Sequence, residues 1–191
     1  LGGLQGVLGW YMVKSGLVAR GDVSQYRLTA HLGVAVTILG YTLWLIFDLG
    51  RERKGATRSS TSAAAWIAGV VLALIYLQIL AGGLVTGIDA GFGYNTWPLM
   101  DGRLVPTLGG VATLMFVHRV LAALVLLLVI WVAIRARTMT HRSKDLVFLS
   151  SVTLLLYVAQ ILVGAANVWS SLSAASVAAH VVLSALIWGV L

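Results

Sequence analysis

The chain has 191 residues, of which 60% are hydrophobic and only 10% charged, and it carries a formal net charge of +7. Soluble domains carry about 25% charged residues, and the mean hydropathy here is +0.97. Disorder, a secreted disulfide scaffold and a nucleic-acid-binding domain are therefore excluded, and the chain reads as an integral membrane protein. It has no cysteine, which removes disulfides, thiolate metal sites and cysteine nucleophiles.

In chain order, the opening stretch 1–14 is apolar but too short to span a membrane. It lacks the basic start and cleavage site of a signal peptide. Four spans of sufficient length follow, over 26–48, 62–86, 110–134 and 145–168, and a fifth runs from 174 to the end. Leu1 is no initiator methionine and both ends fall inside apolar helical sequence, so the expectation is part of a longer chain. No alternating ten-residue pattern of a membrane β-barrel is present. The expected fold is all-α: a polytopic membrane helical bundle with six helices in this sequence.

The connecting segments divide by charge. Segment 49–61 holds Arg51, Arg53, Lys54 and Arg58, and segment 135–144 holds Arg135, Arg137, Arg142 and Lys144. The opposite loops hold Lys14, Arg20, Arg27 and Arg103 against Asp22, Asp89 and Asp101. The positive-inside rule places 49–61 and 135–144 on the cytoplasmic or matrix side. The longest outer loop, 87–109, is Gly-rich and holds both prolines, and at that length it is expected to be an ordered cap over the bundle.

An internal repeat is the most informative pattern. Gln5 precedes Gly9, Gln78 precedes Gly82 and Gln160 precedes Gly164, each four residues apart on a helix rising toward the outer face. Each such helix is followed by an outer loop and a descending helix with a histidine near its start: His31, His118 and His180. The Gln-x-x-x-Gly pattern by itself reads as helix packing, with glycine allowing close approach and glutamine bonding to a neighbour. Its value is that it aligns the histidines. They sit about two turns into their helices, roughly 9–12 Å below the outer ends at a rise of ~1.5 Å per residue. Ionisable groups at membrane depth are rare and costly, and by default functional. His141, in the basic inner loop, reads as solvated and without a role.

Zinc would call for three or four converging ligands, often with a carboxylate or thiolate. A proton relay also calls for carboxylates, and Asp48, Asp89 and Asp145 fall at helix ends. Haem iron suits neutral imidazoles better. The small residues Ala175, Ser176, Ala178, Ala179 and Ser184 around His180 would admit a flat macrocycle. Arg119 is placed to pair with a haem propionate or, alternatively, to snorkel toward the headgroups. Six-coordinate haem takes two axial ligands, so three histidines imply an absent fourth. That arithmetic predicts eight helices in two four-helix bundles, each with a histidine pair. Residues 1–61 would be the remnant of the first with its linker, and 62–191 the second, with His118 and His180 as its pair.

The stretch from Leu4-Gln5-Gly6 through Gly9-Trp10-Tyr11-Met12-Val13-Lys14-Ser15-Gly16-Leu17, followed by Val23-Ser24-Gln25-Tyr26-Arg27-Leu28 and His31-Leu32, resembles the haem A synthase family. So do Gly87-Ile88-Asp89-Ala90-Gly91, Tyr94-Asn95-Thr96-Trp97-Pro98-Leu99-Met100 and Phe116-x-His118-Arg119. The resemblance runs through almost the whole chain and weakens after residue 165, where Val181 follows His180 in place of the family's frequent Gln. It implies an oxidoreductase of a bacterial or mitochondrial inner membrane that oxidises the C8 methyl of haem O to a formyl group, making haem A for cytochrome oxidase. It implies a haem b cofactor, with its iron, between His118 and His180, with Arg119 beside it. His31 would be one of two histidines at the substrate haem O. The family's catalytic glutamate and the other substrate histidine belong to a helix absent here, so no catalytic residue is assigned, and the chain alone is expected to be inactive. The expected partners are the lipid bilayer, haem O, haem O synthase, an unidentified electron donor and further copies of the chain. Asp89, Tyr94, Asn95 and Trp97 are candidates for propionate contacts or for ordering their own loop. Two other readings share the buried histidines. One is a bis-histidine di-haem membrane cytochrome acting on quinol. The other is a transporter or assembly factor whose histidines only bond between helices.

Overall fold

The structure is a computed structural model that describes residues 1–16, 23–53, 63–139 and 143–191, with the backbone alone at 15–16, 52–53 and 63–64. Among the described residues six α-helices follow one another: α1 Gly2–Gly16, α2 Gln25–Arg53, α3 Ala63–Gly87, α4 Gly110–Thr138, α5 Lys144–Trp169 and α6 Ala174–Val190. Four of them, α2 to α5, are long and apolar enough to cross a membrane, and α6 is a shorter apolar helix. The only pairing of extended backbone among the described residues is an isolated bridge between Met100 and Arg103. The chain is a polytopic helical membrane protein. Its outward surface carries large apolar side chains such as Trp66, Leu127, Leu155 and Phe148, which lipid tolerates and water does not.

The expected spans match these helices, with two corrections at their inner ends. Helix α2 continues to Arg53 and α4 to Thr138, so Arg135 and Arg137 sit in the last turn of a helix rather than in a loop. Asp48 likewise lies inside α2 rather than at its end. Hydropathy reports where apolar sequence stops, whereas a helix stops where its backbone bonds stop. Basic residues are favoured in a last turn because they face the negative end of the helix dipole. Lys54, Arg58, His141 and Arg142 lie outside the described residues, as do Arg20 and Asp22.

Local chemistry explains how α5 and α6 begin and how the turn between them closes. Helix α5 opens on Ser143, whose hydroxyl accepts from the Leu146 amide, and α6 opens on Ser173, whose hydroxyl accepts from the Ser176 amide. Such caps satisfy amides that the first turn leaves without a partner. Between them Ser171 and Leu172 take left-handed backbone, φ 51° and 61°. The Leu172 amide closes on the Asn167 carbonyl at 2.8 Å.

Helices α3, α4, α5 and α6 form a ring in which sequential neighbours pack and α3 closes against α6. The diagonal pair α4 and α6 makes no close backbone approach among the described residues. Two buried clusters hold the ring. The inner one joins Val71 and Ile75 of α3, Val125 and Val129 of α4, Tyr157 of α5 and Ile187 of α6. The outer one joins Met100 of the long loop to Met115 and Val168, with Tyr94, Trp97 and Phe116 around it. The loop is therefore an ordered cap, as expected. Helix α2 packs on α3 and α6, and α1 packs on α2.

Candidate functional site

The three Gln-x-x-x-Gly patterns meet the three histidines one for one. Helix spacing puts Gln and Gly on one face, one turn apart. A side-chain carbon added at Gly9 would lie 3.1 Å from Cε1 of His31, one at Gly82 3.2 Å from Cε1 of His118, and one at Gly164 3.1 Å from Cε1 of His180. Each imidazole thus brings its Cε1 edge against a bare stretch of the preceding helix. Any larger residue there would drive the ring away.

The glutamines complete the lock. Gln5 Nε2 donates to the backbone carbonyl of His31 at 3.1 Å, and Gln78 Nε2 donates to that of His118, also at 3.1 Å. Each amide also lies beside its imidazole, 3.3 Å from Nε2 of His31 and 3.2 Å from Nδ1 of His118. The third repeat uses an intermediary. Gln160 Nε2 donates to Ser184 Oγ at 2.7 Å, and Ser184 Oγ donates to the His180 carbonyl at 2.8 Å. Ser184 lies four residues after His180, and that spacing is the signal that pairs it with the histidine. The packing reading of the pattern and its use in aligning histidines are both seen in the geometry.

The histidine level lies between the two apolar clusters of the ring. Along α4 the order is Met115, His118, Val125; along α5 it is Tyr157, Gly164, Val168. His118 and His180 belong to the diagonal helices α4 and α6. His31 belongs to a different neighbourhood, the α1–α2 contact. The three do not converge on one ion: no group of three His, Cys, Asp or Glu able to hold a metal occurs among the described residues.

The donor set suits haem. His118 and His180 stand on diagonal helices of the ring, and a glycine of a neighbouring helix, Gly82 and Gly164, lies against each ring. Nδ1 of His180 and Nδ1 of His31 are buried with no hydrogen-bond partner. Such atoms are costly unless something is meant to meet them. Around His180 the expected small residues divide. Ser184 is committed to the histidine carbonyl, and Ser176 bonds Ser170 and Ser173 in the cap of α6. Ala175, Ala178 and Ala179 stay exposed on α6.

Arg119 neither snorkels nor stands free. Its Nη1 donates to the carbonyls of Thr96, Pro98 and Leu99 at 3.1, 3.4 and 3.4 Å, tying α4 to the cap, while Nη2 is buried with no partner. Trp97 stacks edge-on against Trp169, with ring centroids 5.9 Å apart. Thr96 Oγ1 donates to the Leu99 carbonyl and accepts from the Asp101 amide. The cap is thus held by its own bonds, and Asp89 forms the left-handed start of its 3-10 turn, Ala90–Phe92.

Sequence reasoning missed the residues that join α2 to the ring. Tyr76 donates to the Gly33 carbonyl and meets Thr37 at 3.3 Å. Trp188 lies against Gly40 and stacks obliquely with Tyr76 at 5.7 Å. Each is one aromatic among many in apolar sequence, so no local signal marks it.

The family model for cytochrome oxidase assembly proteins, COX15-CtaA, matches residues 1–191. A protein of Parvibaculum lavamentivorans named "Heme A synthase" is 46% identical over 145 residues, 69% of this chain and 41% of its own length. One of Chelativorans sp. with the same name is 48% identical over 147 residues, 70% of this chain and 40% of its own. A third, from Rhizobium leguminosarum bv. trifolii, is 43% identical over 173 residues, 81% of this chain and 46% of its own. The chain spans less than half the length of these relatives. A match that covers every residue, over helices carrying the same repeat three times, shows that this chain belongs to the cytochrome oxidase assembly protein family.

Proposed function

We propose that this chain is the cofactor-binding part of a haem A synthase, an oxidoreductase that converts the C8 methyl of haem O to the formyl of haem A. One observation carries the reading: the same Gln–Gly–His lock occurs three times, and it sets His118 and His180 on diagonal helices between two apolar layers. Residues 62–191 form the cofactor bundle, and 1–61 belong to the bundle that holds substrate. His118 and His180 would hold a haem b, and His31 would be one of the residues that hold the substrate haem O. Arg119, with Nη2 unpartnered, is the candidate cation for a propionate. The family names of the relatives support the substrate class.

When bound, haem supplies one-electron redox chemistry and the protein supplies orientation and potential. Gly82 and Gly164 leave room for the Cε1 edge of each imidazole against the neighbouring helix. Gln78 and the Gln160–Ser184 pair hold the backbone that carries them. The Met100, Met115 and Val168 layer closes the outer side to water. The basic inner helix ends orient the chain in a bacterial or mitochondrial inner membrane with the cap outward.

The test is spectral. The purified chain reconstituted with haem b is expected to give a low-spin six-coordinate spectrum. His118→Ala and His180→Ala are each expected to abolish it, and His31→Ala to leave it. An unchanged spectrum in either of the first two variants refutes the ligand assignment. Conversion of haem O to haem A by the full-length protein, followed by pigment extraction, separates the synthase from a quinol-oxidising cytochrome, which would retain two haems b and convert none. The chain alone is expected to convert none.

A further inference from the structure

The inner end of the α4–α5 hairpin, opposite the cap, carries a feature that the haem site does not use. A cavity of about 450 Å³ opens there, lined by Arg137, Lys144, Val147, Phe148 and Ser151. Arg137 is in the last turn of α4 and Lys144 is the first residue of α5. A basic side chain at a span's end ordinarily extends toward water. Arg137 does the reverse. Helical side chains lean toward their own N-terminus, and α4 descends to this end, so Arg137 leans back toward the membrane interior. Its Nη1 donates to the Ala133 carbonyl at 2.6 Å and its Nη2 to Ser151 Oγ at 2.7 Å.

The guanidinium is thus held in one orientation below the level of Lys144, and neither cation has a carboxylate partner among the described residues. A fixed cation at that depth calls for an anion that is itself at the membrane edge. The apolar side of the cavity continues onto lipid-facing surface, with Phe148 66% exposed and Leu155 70% exposed. We propose that this cavity binds the phosphate of an anionic phospholipid, between Arg137 and Lys144, with an acyl chain running along Phe148 and Leu155. Basic pockets between helices on this side of a membrane suit such headgroups. The proposal is independent of the haem reading.

The test is native mass spectrometry of the full chain in detergent, titrated with phosphatidylglycerol, with phosphatidylcholine of the same acyl chains, and with inorganic phosphate. Retention of one phosphatidylglycerol in preference to phosphatidylcholine is expected. Arg137→Ala is expected to weaken it about fivefold, the scale of one basic residue at an anionic lipid surface. Lys144→Ala carries the same expectation should Arg137→Ala fail to fold by circular dichroism. Arg135→Ala removes an equal charge from the same turn without touching this cavity, and is expected to leave retention unchanged. Equal retention of the two lipids, an equal loss in Arg135→Ala, or displacement of the lipid by inorganic phosphate at equal concentration overturns the proposal.

Discussion

Gly82→Ala tests the lock between a glycine and a histidine ring. The new Cβ would sit 3.2 Å from Cε1 of His118, about 0.3 Å inside the ~3.5 Å lower edge of comfortable carbon contact. Overpacking of this kind costs about 1 kcal/mol or somewhat more. Against it, Ala is favoured over Gly inside a helix by about 1 kcal/mol. The two nearly cancel, so Gly82→Ala alone is expected to change stability little. In a His118→Ala background the ring is gone and only the helix gain remains, so the same change is expected to stabilise by about 1 kcal/mol. The coupling between the two sites is then about 1 kcal/mol, within the range such cycles resolve for residues in contact. Gly69 lies on the same helix with nothing within 4 Å of an added Cβ, so Gly69→Ala calibrates the helix gain in this membrane setting. Unfolding of the haem-free chain by SDS titration gives all the free energies, which keeps the result separate from any cofactor. The reasoning is refuted if Gly82→Ala has the same effect with and without the His118 ring.

Three further outcomes follow from contacts at the edges of the site. Arg119→Ala leaves three cap carbonyls without their donor, at about 1–3 kcal/mol for a group that stays buried; amide exchange over 94–101 is expected to accelerate while α4 stays protected, and unchanged exchange counts against Arg119 as the anchor. Gly87→Ala would place a carbon 2.5 Å from Cα of Gln25, where backbone cannot yield, so a loss of about 1–3 kcal/mol is expected; Gly50→Ala, which meets nothing within 4 Å, is expected to show no such loss in the same titration. Ser184→Ala is expected to cost less than Gln160→Ala, because the freed amide can turn to the His180 carbonyl as Gln5 and Gln78 do in their repeats; the reverse order of stabilities in thermal unfolding would remove Ser184 from its intermediary role.

How much of this was legible in the sequence depends on the range of the interaction involved. Spans were legible because each is a local sum: about 20 apolar residues must be helical where the backbone has no water to bond. The pairing of Gly9, Gly82 and Gly164 with three histidines was legible as alignment because Gln four residues earlier marked the face each time. Glycine alone would not have served, since Gly2, Gly3, Gly6 and Gly69 also lie in helices and meet nothing within 4 Å, whereas Gly40, equally bare in sequence, receives Trp188. What could not be read was the endpoint of each long polar side chain. Arg119 was assigned a propionate or the headgroups, and the bonds of its Nη1 to three carbonyls some twenty residues upstream went unread, because those carbonyls belong to a loop whose path no local rule specifies. Arg137 was counted only as a topological charge, yet it turns inward to Ala133 and Ser151. In a membrane protein the few polar side chains have few possible partners, so each one's true partner is the information that distinguishes a site from a span. That information lies in the packing of helices rather than in any one of them.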